Sequence, residues 1–161
     1  MLKKWIIIGA LTLGLIVSVT GCGKTTAEET PTQEIAVETQ EEVAVAYTYY
    51  TQDELKEAIE SQSTFALVDI QVAEDYAAHH IIGAIETNAY PVKTEEEQQR
   101  LDSVIEANKE GDAPIIIVCP RGAGGAERTY QYMEEQGIPA ERLFILENGQ
   151  EGWTYEELLE K

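Results

Sequence analysis

Pro114-Ile115-Ile116-Ile117-Val118-Cys119-Pro120-Arg121-Gly122-Ala123-Gly124-Gly125-Ala126 is the stretch that decides the fold. Residues Ile115 to Val118 are apolar at successive positions, so one wet face is not available to them. A strand covered on both sides wants such a run, and strands of that kind sit at the centre of parallel sheets. The glycines that follow Cys119 let the backbone turn tightly. A helix is predicted from about Gly125 to Gln136, stopping at Gly137.

Working outward, Thr94-Glu95-Glu96-Glu97 has capping-box spacing and predicts a longer helix that carries Leu101, Val104 and Ile105 and ends before Gly111. Phe65 to Ile70 is an apolar run of strand length, Ala73 to Ala78 suits a brief helix, and Ala84-Ile85 opens a further strand. Thr51-Gln52-Asp53-Glu54 repeats the capping box ahead of Leu55 and Ile59, with a helix to about Ser61. Ala46 to Tyr50 is β-branched and aromatic enough for a first strand. Beyond the central stretch, Leu143 to Leu146 is a strand, Asn148 to Gly152 a turn, and Tyr155 to Lys161 a closing helix. Strands alternating with helices define an α/β domain of three layers around a central, mainly parallel sheet.

The N-terminus is an address. Lys3 and Lys4 precede an apolar stretch from Trp5 to Val19, and Val19-Thr20-Gly21-Cys22 resembles a lipobox. Residues 1–21 are therefore expected to be a signal peptide, and Cys22 to carry a diacylglyceryl thioether. A plain transmembrane anchor fits less well, because an uncharged run of about 17 residues is marginal for spanning a bilayer. Residues 22–45, rich in Thr, Glu and Ala, are expected to be a disordered tether, and residues 46–161 the folded domain. The expected location is the extracytoplasmic face of a cell membrane, held by lipid alone.

Thirty acidic and 11 basic residues give a net charge of −19. Such a surface repels phosphate backbones and anionic lipid, which argues against nucleic-acid binding. With Cys22 lipidated, the second cysteine, Cys119, is left without a partner in an oxidising compartment.

Ligands of open parallel sheets bind beyond the carboxyl ends of the strands, which is where Cys119 falls. The glycine-rich turn can direct several amides toward its sulfur, and the following helix adds its positive end. This environment favours the thiolate and suits an anion or a persulfide without a metal or other cofactor. Two adjacent histidines, His79 and His80, make no metal site.

Four ordered motifs resemble those of a rhodanese, a sulfurtransferase domain, across about Tyr47 to Lys161. They are Leu67-Val68-Asp69-Ile70 with Glu74-Asp75-Tyr76, His80-Ile81-Ile82-Gly83-Ala84-Ile85, Ile116-Ile117-Val118-Cys119 with its glycine-rich loop, and Asn148-Gly149-Gln150-Glu151-Gly152-Trp153. The resemblance implies sulfur transfer from a small sulfane-sulfur donor to a thiol or cyanide acceptor. It also implies that Cys119 is the nucleophile and that Gly122, Ala123, Gly124, Gly125 and Ala126 supply an amide cradle. Arg121 either binds an anionic donor or pairs with the acidic surface. Gln71 and Gly124 stand where many active members carry an arginine, or, at the latter, a hydroxyl residue. His80, Tyr76 and Trp153 are expected to be structural, and Glu127 and Arg128 solvated unless Arg128 points back toward the loop. The protein is expected to be a monomer.

Two other functions compete. A phosphatase or arsenate reductase of related fold needs an arginine six residues beyond the cysteine, where this chain has Gly125. A non-catalytic module that binds a partner or senses redox state through an oxidisable thiol remains open.

Overall fold

The computed structural model describes residues 46–161. The expected signal peptide, the tether and the lipidation site Cys22 lie outside the described residues. In chain order the elements are β1 (Tyr49–Tyr50), α1 (Gln52–Glu60), β2 (Ala66–Asp69), α2 (Ala73–Ala78), β3 (His80–Ile81), β4 (Ile85–Glu86), α3 (Glu95–Gln99), α4 (Asp102–Asn108), β5 (Ile115–Val118), α5 (Gly124–Glu135), β6 (Leu143–Leu146) and β7 (Leu159–Glu160). Short 3-10 turns occupy Ala140–Arg142, Gln150–Gly152 and Glu156–Leu158.

Five strands form a sheet in the order β1-β6-β5-β2-β4, with every pairing parallel. β5 is its middle strand, with Ile117 in register with Val68 on one side and Ile145 on the other. All four residues of β5 are buried, as the uninterrupted hydrophobic run requires. Side chains alternate between faces along a strand. Accordingly Ile115, Ile117 and Cys119 share one core cluster with Leu101, Val104, Ala126 and Met133, whereas Ile116 and Val118 pack with Leu55, Ile81 and Trp153 in another. These are the three layers that the alternating sequence pattern predicts.

Both capping boxes form. The Thr51 hydroxyl accepts from the Glu54 amide at 3.2 Å while the Glu54 carboxylate accepts from the Thr51 amide at 2.8 Å. Thr94 and Glu97 repeat the exchange. Each cap contributes about 1 kcal/mol by satisfying amides that no helical carbonyl reaches.

Two expectations are corrected. The helix starting at Thr94 is not continuous: a turn at Arg100–Leu101 separates α3 from α4. α3 buries nothing, whereas Leu101, Val104 and Ile105 all enter the core, so the turn re-aims the chain from surface to interior. The closing helix from Tyr155 to Lys161 is absent. After the 3-10 turn the chain becomes β7 and pairs antiparallel with β3, placing Leu159 beside Ile81 and Glu160 beside His80. A helix that short is marginal in water. The exposed backbone of β3 offers hydrogen-bond partners instead, and Leu158 and Leu159 gain contact with the second core cluster.

Candidate active site

Cys119 follows the last residue of β5 and is the first residue of the loop that leads into α5. Its side chain is 2% exposed. The sulfur nevertheless faces a cavity of about 190 Å³ lined by Tyr90, Lys93, Cys119, Arg121, Ala123, Gly124, Gly125 and Arg128. The Gly122 amide donates to Cys119 Sγ at 3.1 Å, and the thiol in turn points at the Ala123 carbonyl, 3.9 Å away. Among the described residues, the amides of Ala123, Gly124 and Gly125 have no protein acceptor, as expected for the N–H groups that open a helix.

The loop is held from behind by the Asn148–Gly152 turn. The Gln150 amide donates to the Cys119 carbonyl and the Glu151 amide to the Pro120 carbonyl, each at 2.9 Å. This close docking requires Gly122, at φ +62°, and Gly149, at φ +56°, because side chains there would strike the opposing backbone.

The sequence-derived residues thus separate into groups. Cys119, Arg121, Ala123, Gly124 and Gly125 come together around the cavity. Gly122 serves the sulfur directly through its amide. Ala126 lies in the core, and its amide donates to the Ala123 carbonyl at 2.7 Å. Among the described residues, the amide hydrogen bond to the sulfur comes from Gly122.

Tyr90, Lys93 and Arg128 complete the cavity. Arg128 is not freely solvated: its Nε and Nη2 donate to the Pro91 carbonyl at 2.9 and 2.7 Å. Tyr90 and Lys93 belong to a segment without a recognisable motif. Arg128, one helical turn beyond Gly124, carried a signal in its spacing. The cavity wall therefore holds three cations and no carboxylate, in a chain with nearly three acidic residues for each basic one.

On the opposite face of the sheet, Asp69 ends β2 beside Val118 and is completely buried. One carboxylate oxygen accepts from the Gln71 amide at 2.8 Å, and the other has no partner among the described residues. Burial pushes its pKa up to about 7, against the lowering effects of that hydrogen bond and of His80. His80 stacks on Tyr76 with ring centroids 3.9 Å apart and bonds through Nδ1 to the Tyr76 carbonyl. The Tyr76 hydroxyl donates to the Ala84 carbonyl, and Trp153 Nε1 to the Tyr155 carbonyl. These side chains build the scaffold rather than the cavity.

An α/β domain thus carries a buried thiol where its central parallel strand gives way to a glycine-rich loop. The profile of the rhodanese-like domain family matches residues 51–156, and the chain belongs to that family. A protein from Bacillus halodurans of known structure is similar over 70% of this chain and 76% of its own, with 24% identity and a TM-score of 0.55. A rhodanese-like domain protein from Staphylococcus aureus is similar over 69% and 95%, with 24% identity and a TM-score of 0.53. A yeast protein tyrosine phosphatase of the rhodanese family is similar over 66% and 83%, with 18% identity and a TM-score of 0.52. At these identities the structures share the fold. No curated protein sequence matches the chain.

Proposed function

We propose that the protein is a sulfurtransferase, anchored by lipid at Cys22 to the extracytoplasmic face of a membrane, that carries sulfur as a persulfide on Cys119. The observation that carries this reading is the sulfur of Cys119: it accepts an amide hydrogen bond from Gly122 and faces a small cavity edged by Lys93, Arg121 and Arg128. A cysteine attacks as its thiolate, and the cations of the cavity wall suit an anionic donor. With thiosulfate as donor, the thiolate attacks the outer sulfur. The Sγ–S bond forms as the bond to the sulfonate sulfur breaks, and sulfite leaves with the electron pair. A thiol acceptor, as its thiolate, then takes the outer sulfur, and Cys119 regains its electron pair. The cavity volume suits small donors, and the acidic surface disfavours nucleic acid. The protein acts as a monomer in this reading.

The six-residue spacing to an arginine that a phosphatase loop requires is missing, since Gly125 occupies that position. Intact-mass measurement after exposure to thiosulfate or polysulfide tests the proposal. A gain of one sulfur, absent from Cys119→Ala, is the expected result. No gain from any sulfane donor would overturn it in favour of a binding or redox-sensing module. Anchoring is tested separately: labelled fatty acid should be incorporated into the wild-type protein and not into Cys22→Ala.

A further inference from the structure

We propose that Arg128 is the anion-positioning residue of the Cys119 site, gripping the charged end of a small reagent so that its reactive atom faces the sulfur. The inference rests on the sulfurtransferase reading for the nature of the donor, but its geometry belongs to this chain. Helical side chains lean toward the helix N-terminus, so a residue covers the turn before its own. Arg128 leans over Gly124, where there is no side chain to displace it: Nη1 lies 3.1 Å from the place a Cβ on Gly124 would take.

The guanidinium is fixed as well as near. Nε and Nη2 both donate to the Pro91 carbonyl, on the segment that also supplies Tyr90 and Lys93 to the cavity wall. Nη1 has no acceptor among the described residues, and the ion pairs found there involve Lys56, His80 and Arg100 instead. Arg142 shares that bonding pattern: it gives its Nε and Nη2 to the Ala113 and Asn108 carbonyls and leaves a buried Nη1 without an acceptor among the described residues, but it does not line the Cys119 cavity. Arg121 and Lys93, the other two cations at the cavity, are exposed and form no described hydrogen bond through their side chains. Among the cations of this cavity Arg128 is thus the one held in place with one edge uncommitted, and a planar guanidinium can hold a carbonyl on one edge and an oxyanion on another.

Alkylation of Cys119 by iodoacetate and by iodoacetamide separates charge recognition from mere folding. The reagents are nearly the same size, and in both the thiolate forms an S–C bond as iodide leaves with the C–I electron pair; only iodoacetate is an anion. Arg128→Gln should lower the iodoacetate rate relative to the iodoacetamide rate by about fivefold or more, the effect of removing one nearby charge. Arg128→Lys should restore part of that ratio. In thiosulfate assays Arg128→Gln should raise KM more than it lowers kcat, as loss of binding common to ground and transition states does. A ratio unchanged in Arg128→Gln would overturn the inference, as would a fall that Arg128→Lys does not relieve. Wild-type protein that shows the ratio effect but never gains sulfur would defeat the sulfurtransferase reading while leaving Arg128 as an anion-positioning residue.

Discussion

Gly122 and Gly149 face each other across the base of the loop that follows Cys119, with no room for a methyl group on either. A Cβ on Gly122 would lie 2.7 Å from the Asn148 nitrogen and 2.8 Å from the Gly149 nitrogen, and one on Gly149 would meet the Cys119 carbonyl and the Gly122 nitrogen. The two glycines let the last turn of the domain brace the loop that presents the thiol.

Gly149→Ala is expected to destabilise the fold by about 3 kcal/mol or more, because its φ of +56° with ψ of −152° is a region essentially reserved for glycine and the added methyl meets backbone. Urea denaturation should show it. The proposed sulfur loading of Cys119 should also fall in the folded fraction, since the hydrogen bonds from Gln150 and Glu151 to the loop start just after this residue.

Gly125→Ala should narrow the cavity from inside. The new Cβ would come 2.9 Å from the Tyr90 ring and 3.3 Å from Ile70 Cδ1. Overpacking of this kind costs about 1–3 kcal/mol. Adding Tyr90→Ala should recover part of the lost melting temperature; failure to do so would mean that the strain lies with Ile70.

Asp69 should impose a falling stability profile. Its carboxyl is raised from 3.8 to about 7 in the folded protein, so the folded state holds a proton that the unfolded chain has released between those values. Its contribution to stability is therefore full below about pH 4, declines by up to about 1.4 kcal/mol per pH unit as pH rises, and levels off above pH 7. The groups nearest it in charge are His80, which opposes the shift, and Glu86, which adds to it. Urea midpoints of Asp69→Asn at pH 4.5, 6 and 8 should trace a flatter line than wild type and cross above it at pH 8. An identical slope in the two proteins would show that Asp69 is ionised throughout.

Leu159→Asp should cost about 2 kcal/mol, because it brings a charge to the second core cluster at the β3–β7 pair. Glu160→Ala should cost less than about 0.5 kcal/mol, since its ion pair with His80 is long, at 3.8 Å, and half exposed on the glutamate side. Thermal melts of the two variants check the contrast.

The parts of the fold that were legible are those decided by near neighbours in sequence. Ile115 to Val118 declares a central strand by its apolar run, and Thr51 and Thr94 declare helix starts by their distance from Glu54 and Glu97. Cys119 was legible as the residue where that strand meets glycine. What escaped depends on contacts between distant segments. Leu158 and Leu159 lie at helical spacing from Tyr155, and only the edge of β3, about 80 residues earlier, makes them a strand. Tyr90 and Lys93 reach the cavity because Pro91 is bound by an arginine on another element. Gly149 was legible as a turn residue but not as a brace, because its partner Gly122 lies on the far side of α5 and β6 in sequence.

The middle position of β5 has a practical consequence. The thiol is joined to the strand whose release requires both neighbouring strands and both covering layers to let go, so only molecules small enough to slip through the cavity mouth meet it while the domain stays intact. Bulky maleimides should label Cys119 at the rate of whole-domain opening. The Cys119 sulfur would then serve as a clock for unfolding.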